Sequence, residues 1–264
     1  MRASEGNFRM KIVSLDAALE PKFWEHVNRD IPHYFFALDW KHNRNDTEIL
    51  LALKESRIDG MMLIFKKKVV QLRGSRKSAK ALLERLDLEK VEVQALEQHK
   101  QYVLEKYMPA WSHELMLMIL RKGEERLHIS HRIVALDPSD AEQIADMMRN
   151  LNPRFWGEVT GEKIAEGMSS VNCFGVRVNG ELVSLGRTRL TEKVGHIPTV
   201  ATLEAHRNKG YATSIVSYLV KLILEKLPIA IIYVLSDNPP AIRVYEKVGF
   251  KPYRKYFFTK GDRR

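Results

Sequence analysis

LEAHRNKGYATSIVSYLVKLILEK, residues 203–226, joins a basic turn to an amphipathic helix. The run before it, HIPTVATL (196–203), has the β-branched, alternating character of a strand. The turn itself, Arg207-Asn208-Lys209-Gly210-Tyr211-Ala212, carries one glycine. The first turn of a helix leaves backbone N–H groups unpaired, and its macrodipole favours negative charge. The junction therefore reads either as an anion site or as an ordinary strand-to-helix loop. A single glycine does not decide between them.

The elements on either side extend the pattern. LHISHRIVAL (127–136) alternates and predicts a strand. Asp137 with Pro138 behind it predicts a capped helix running to about Asn150. An aromatic loop, NPRFWGEVT (152–160), and a short helix, GEKIAEGMSS (161–170), come next. Asn179-Gly180 between two strand-like runs predicts a hairpin over 173–190. After the opening helix, whose apolar face is Ile215, Tyr218, Leu219, Leu222 and Ile223, IAIIYVLS (229–236) predicts a strand buried on both faces. NPPAIRVYEKVGF (238–250) predicts a short helix ended by Gly249, and a last strand is expected around Tyr256–Thr259.

That order, together with two motifs, resembles the GNAT superfamily of acyl-CoA-dependent N-acyltransferases. The resemblance covers roughly Leu127 to Lys260. The first motif is Gln/Arg-x-x-Gly-x-Gly/Ala, matched by Arg207, Gly210 and Ala212. The second is matched by Asn238, Ala241, Tyr245, Gly249 and Phe250. The expected fold is α+β, a central mixed sheet flanked by helices. The N-terminal half reads as a worn copy of it. A hairpin is expected from TEILLALKES (47–56) and MMLIFKK (61–67) about a turn at Arg57–Gly60. VVQLRGSRKSAKALLERL (69–86) repeats strand, loop and helix, VEVQAL (91–96) stands for the buried strand, and EQHKQYVLEKYMP (97–109) for the last helix. Leu104 stands where Tyr245 stands, and Arg73-Gly74-Ser75-Arg76 lacks the Arg-x-x-Gly-x-Ala spacing. The expected domains are therefore 1–124, a degenerate lobe, and 125–264, the catalytic lobe.

The resemblance implies acetyl-CoA as cosubstrate. Arg207, Asn208, Lys209, Gly210, Tyr211, Ala212 and Thr213 would hold its pyrophosphate. Val200, Ala201 and Thr202 would pair with its pantetheine arm along a splayed strand, and Asn238 would bond the same arm. Asn238 before Pro239-Pro240 is equally good helix-cap chemistry. Tyr245 is implied as the acid at the leaving thiolate, which a phenol suits. A general base is also needed, and His196 stands eleven residues before Arg207 where the family often places a glutamate. An imidazole near its ordinary pKa of ~6.5 suits that work. Glu158, Glu192 and Glu204 compete for the role. Trp156, Phe155 and Glu158 lie in the loop implied to build the acceptor pocket.

Composition sets outer bounds. With 264 residues, 45% hydrophobic and 29% charged, the chain reads as ordinary globular protein of two modest domains. Its net charge of +10 attracts anions generally, without a basic block of the nucleic-acid type. The lone cysteine, Cys173, excludes an intrachain disulfide and a cysteine-based metal site. The opening MRASEGNFRMK (1–11) has no apolar core, so no signal peptide is expected. The longest apolar runs fall short of the ~20 residues of a spanning helix. The expected protein is a cytoplasmic N-acetyltransferase with a small-molecule amine as acceptor. It needs no metal and has no nucleic-acid or membrane partner; homodimerisation is left open. A non-catalytic acyl-CoA-binding or regulatory protein and a protein N-acetyltransferase are the alternatives.

Overall fold

The computed structural model describes residues 10–264, so the opening nine residues up to Arg9 lie outside the described residues. In chain order the elements are β1 (Lys11–Ser14), α1 (Glu20–Asn28), α2 (Ile31–Tyr34), β2 (Thr47–Lys54), β3 (Arg57–Phe65), β4 (Val69–Gly74), α3 (Arg76–Arg85), β5 (Lys90–Leu96), α4 (Lys100–Lys106) and β6 (Tyr107–Arg121). There follow β7 (Val134–Leu136), α5 (Ala141–Leu151), α6 (Pro153–Trp156), α7 (Gly161–Gly167), β8 (Asn172–Val178), β9 (Glu181–Leu190), β10 (Gly195–Thr202), α8 (Tyr211–Lys226), β11 (Ile229–Leu235), α9 (Pro239–Val248) and β12 (Lys251–Arg263). Contacts divide the chain into two units. The first holds the residues up to Met116 with Leu235–Asp237 and Arg254–Arg264; the second holds Leu117–Val234 with Asn238–Tyr253.

In the first unit the strand order is β1-β2-β3-β4-β5-β12. The ladders from β1 to β4 are antiparallel, and β4 and β5 run parallel from Val69↔Glu92 to Leu72↔Ala95. A parallel pair needs a crossover, and α3 supplies it. One core side joins Met62, Val70, Leu72, Leu82 and Val93; the other joins Phe23, Trp40, Leu51 and Met61. Strand β12 adds to this sheet beside β5, antiparallel from Tyr256↔Leu96 to Asp262↔Lys90, with β6 on its other side. The last strand is thus longer than expected, and its residues from Arg254 on belong to the first unit rather than with 125–253. The β2–β3 turn falls at Glu55–Ser56, not Arg57–Gly60. Both turn residues take positive φ (49° and 66°), so the pairing begins at Lys54↔Arg57.

The first unit also buries Arg73 completely, at the position where the sequence comparison aligns it with the opening loop. Its guanidinium donates to Leu72 O (3.1 Å), Gln94 O (3.0 Å), Gln71 Oε1 (3.0 Å) and Gln94 Oε1. It lies over the rings of Phe36 and Tyr256, 4.8 and 4.3 Å from their centroids. These acceptors belong to the last two parallel pairs of β4 and β5, Gln71↔Gln94 and Leu72↔Ala95. The guanidinium thus ties the end of β4 to β5.

The second unit repeats the plan: an antiparallel meander β7-β8-β9-β10, then a parallel partner β11 reached through α8. The hairpin expected at Asn179-Gly180 is present, with φ of 51° and 86° suiting a two-residue turn. Asp137 and Asp140 form a capping box ahead of α5. Ile215, Leu219 and Ile223 of α8 are fully buried, each worth roughly 1.5–3 kcal/mol in transfer. Gly186 of β9 lets that face come close, since a Cβ there would meet Ile215 Cγ2 at 2.3 Å.

The strand expected over 127–136 is only Val134–Leu136. Residues ahead of it bond side chains of α8 instead of a neighbouring strand. His128 N–H donates to Ser217 Oγ (3.0 Å) and Ser130 N–H to Ser214 Oγ (3.1 Å). With their donors committed to a helix, they cannot join a ladder. Among the described residues, no helix is long and apolar enough to cross a membrane.

Candidate functional site

Strands β10 and β11 pair only at Gly195↔Ala230, His196↔Ile231 and Ile197↔Ile232. The other edge of β10 stays on β9 as far as Thr202↔Ser184, across an irregularity between His196 and Thr199. Leu203 N–H donates to Val183 O of β9 (2.9 Å). Because backbone groups alternate sides along a strand, Ala201 faces β9 as well. Val200 and Thr202 then turn their N–H and C=O groups to the edge that β11 has left. Pro198, inside the stretch where pairing ends, has no N–H to give. Ser184, fully buried, holds this part of β10 in place by donating to Ala201 O (2.9 Å) and bonding Thr202 Oγ1 (2.8 Å).

The chain leaves β10 through Glu204–His206 and reaches α8 across the basic turn. Asn208 (φ 61°) and Gly210 (φ 81°) both take left-handed backbone. Gly210 is the residue before the first helical turn, and no side chain caps the helix there. The N–H groups of that first turn therefore lack a protein cap, as an anion site requires. Of the structure around Gly210, only His131 comes within 4 Å of where a Cβ would stand, its Cε1 at 3.4 Å. Arg207, Asn208 and Lys209 are exposed; Tyr211, Ala212 and Thr213 are half-buried. Ser214 is fully buried and engaged by Ser130 and His131.

After β11, Asn238 caps α9 by accepting from Ala241 N–H (3.2 Å). Of its two expected readings, the structure displays the helix cap. Helix α9 packs beside α8 and carries Tyr245, which is buried with its ring 6.2 Å from that of Phe250. Burial raises the phenol well above its ordinary pKa, so it is protonated throughout the neutral range. Gly249 ends the helix in the left-handed region (φ 116°).

His196 sits on β10 across from Arg189, half-buried, its ring edge-on to Tyr233 at 6.1 Å. Burial first, and the Arg189 charge second, lower its imidazole to about 3. The sequence-level expectation of a base near the ordinary histidine value is corrected here: the ring is neutral at pH 7 but weakly basic. Trp156 packs against the core cluster around Ile144, Met148 and Ile164, and Glu158 is exposed; the side chain of Phe155 lies outside the described residues. Cys173 is buried, and burial raises its thiol, as befits an inert core cysteine.

Two residues at the site escaped the sequence reading. Thr199 is buried on β10 with no partner for its Oγ1 among the described residues. His131 lies against the turn, from a segment that alternation marked as strand. Neither belongs to a motif, and only the strand irregularity and the bonds to α8 bring them in. Among the described residues, no group of His, Cys, Asp and Glu converges as a metal site would. A cavity of about 460 Å³ in the first unit, lined by residues including Lys80, Tyr102 and Lys106, contains none of the expected site residues.

Residues 174–259 match the family described as FR47-like protein. An N-alpha-acetyltransferase of Sulfurisphaera tokodaii is 28% identical over 112 residues, which are 41% of this chain and 63% of that protein. The match thus spans less than two thirds of the relative's length. Among solved structures, a Drosophila protein superposes with a TM-score of 0.72 at 9% identity, covering 96% of this chain and 98% of its own. A tandem GNAT protein from the clavulanic acid biosynthesis pathway superposes with a TM-score of 0.57 at 11% identity, covering the same shares, 96% and 98%.

Proposed function

We propose that this chain, which belongs to the GNAT superfamily, is an N-acetyltransferase that moves an acetyl group from acetyl-CoA to an amine by direct attack. The observation that carries the reading is the open edge of β10 at Val200–Thr202, running into an uncapped helix start with left-handed backbone at Asn208 and Gly210. The residues present fit the cosubstrate. The turn offers N–H groups and the exposed charges of Arg207 and Lys209 to a pyrophosphate. The free backbone groups of Val200 and Thr202 offer a ladder to the two amides of the pantetheine arm.

Bound there, acetyl-CoA supplies an activated acyl group as a thioester. The chain's own work is to hold that carbonyl beside the amine, which removes most of the entropy cost of the encounter. An N–H on the open edge of β10 stabilises negative charge developing on the carbonyl oxygen. Tyr245, kept protonated by burial, hydrogen-bonds the departing sulfur; any proton it passes to the thiolate is replaced from the one the amine loses, so the products are the amide and the thiol with the phenol restored. The amine must arrive deprotonated or lose its proton to a nearby acceptor. His196, neutral at working pH, is too weak a base to hold that proton and in this reading only orders water that carries it away. Trp156 and Glu158 border the acceptor side.

The acceptor is a small amine in this reading. A second reading, an α-amino group on a polypeptide, is favoured by the name of the Sulfurisphaera tokodaii relative. Release of free CoA thiol from acetyl-CoA, followed across a panel of small amines and peptide N-termini, tests both. Turnover lost on Tyr245→Phe is expected. CoA binding without turnover on any amine would instead favour a non-catalytic acyl-CoA-binding role, and absence of CoA binding would reject the reading.

A further inference from the structure

We infer that His131 is a binding residue for the pyrophosphate of the cosubstrate, donating its Nε2–H at the mouth of the 207–212 turn. The inference rests on the acyl-CoA reading above and names a residue outside both motifs. His131 belongs to the irregular segment before β7 that is tied to α8. Its ring lies 4.5 Å from that of Tyr211, tilted by 58°. Its Nδ1 is 2.8 Å from Ser214 Oγ, and its Cε1 is 3.4 Å from the position of a Cβ on Gly210. Cε1 lies between the two ring nitrogens, so the Nε2 edge follows it toward the turn.

The hydrogen bonds support one assignment of the ring proton. Ser214 is fully buried and has one proton to give. Its Oγ already accepts from Ser130 N–H (3.1 Å). Two acceptors stand within reach of that proton, His131 Nδ1 at 2.8 Å and Ser130 Oγ at 3.2 Å. The shorter bond takes it, and Ser130 Oγ, 3.2 Å from the same Nδ1, is placed to support it. With Nδ1 an acceptor, the neutral ring bears its hydrogen on Nε2. Nε2 has no partner among the described residues. Neutral or charged, the ring presents a donor to the place where the uncapped helix start favours an anion. Ser214 thereby serves as the anchor that aims His131, which explains a polar group at a wholly buried position of α8.

Titration calorimetry with CoA and with 3′-dephospho-CoA tests the assignment on wild type, His131→Ala and His131→Gln. A hydrogen bond to a phosphate in a partly solvated site should be worth about tenfold in Kd. His131→Ala should weaken both ligands by about that factor, with a lowered melting temperature because the buried Ser214 hydroxyl loses its acceptor. His131→Gln, whose amide N–H falls near the place of Nε2–H, should recover most of the affinity; a purely structural ring packed against Tyr211 would not be replaced by an amide. Unchanged Kd in His131→Ala, or no recovery with glutamine, would overturn the inference. A loss seen with CoA but not with 3′-dephospho-CoA would overturn the assignment to pyrophosphate in favour of the 3′-phosphate. Failure of the wild type to bind CoA would reject the acyl-CoA reading itself, whereas wild-type binding with indifferent variants rejects only His131.

Discussion

Ile197 and Ile232 are the last partners in the parallel ladder of β10 and β11. Beyond them β10 keeps its antiparallel neighbour but loses its parallel one, and the backbone groups of Val200 and Thr202 face an open edge. In the first unit the corresponding ladder ends at Leu72↔Ala95, and the buried Arg73 ties the two strands there with bonds to Leu72 O and Gln94 O. The same plan thus ends in an opening in one unit and a tied seam in the other.

That contrast predicts one CoA per chain in a binding titration. It also predicts that Arg73→Met leaves buried carbonyls without donors. Each costs about 1–3 kcal/mol, so urea unfolding should report a loss on the order of 3 kcal/mol. A stoichiometry of two, or a variant as stable as wild type, would contradict this account of Arg73.

Gly210→Val should damage the site through the backbone. A β-branched residue at φ 81° is strained by about 1–3 kcal/mol, and its Cβ would meet the His131 ring at 3.4 Å. A lower melting temperature and a CoA Kd raised at least ~10-fold, about 1.4 kcal/mol, are expected. Retained affinity would show that the turn does not hold the ligand.

Tyr245→Phe removes one oxygen and keeps the ring against Phe250. General acid catalysis contributes typically ~10²–10⁴-fold, so kcat should fall by about 10² or more with CoA affinity little changed. Because burial raises the phenol, its neutral form stabilises the fold below the unfolded value near pH 10. That contribution is lost as pH rises beyond it. Wild type should therefore lose stability at high alkaline pH more steeply than the phenylalanine variant, as thermal melts would show.

His196 carries the opposite sign. Its imidazole is lowered to about 3 by burial and Arg189, so the unfolded chain binds this proton and the folded one does not between about pH 6.5 and 3. The stability this neutral ring contributes is complete above about pH 6.5 and is lost as pH falls toward 3. His196→Gln should narrow the acid-induced drop in melting temperature. The pH–rate profiles of the two proteins should run parallel from about pH 5 to 8, differing in height only. An acid limb near pH 6.5 abolished by the substitution would show that the ring titrates near its ordinary value.

Much of this was legible along the chain. Asn179-Gly180, the Asp137 cap, the run IAIIYVL and the face Ile215-Leu219-Ile223 each declare local geometry through short-range chemistry, and the structure follows them. The spacing of Arg207, Gly210 and Ala212 located the turn. Residues 127–133 misled because alternation reports which side chains face apart, not whether a neighbouring strand is present to pair with; Ser214 and Ser217 took those N–H groups.

The sequence by itself determined the order α5-α7-β8-β9-β10-α8-β11-α9, the position of the turn before α8 and the motif tyrosine, since these depend on neighbours within a few residues; β1, α1, α2, α6 and β6 were not read from it. Only the tertiary structure decided where the β10–β11 ladder stops, that Arg73 ties its counterpart, that Arg254–Arg264 join the first unit, that His196 is lowered to about 3 and that His131 reaches Gly210. Strand separation, burial and a ring's preferred tautomer depend on groups that are distant along the chain and adjacent in space. Local propensity and spacing carry no record of those adjacencies.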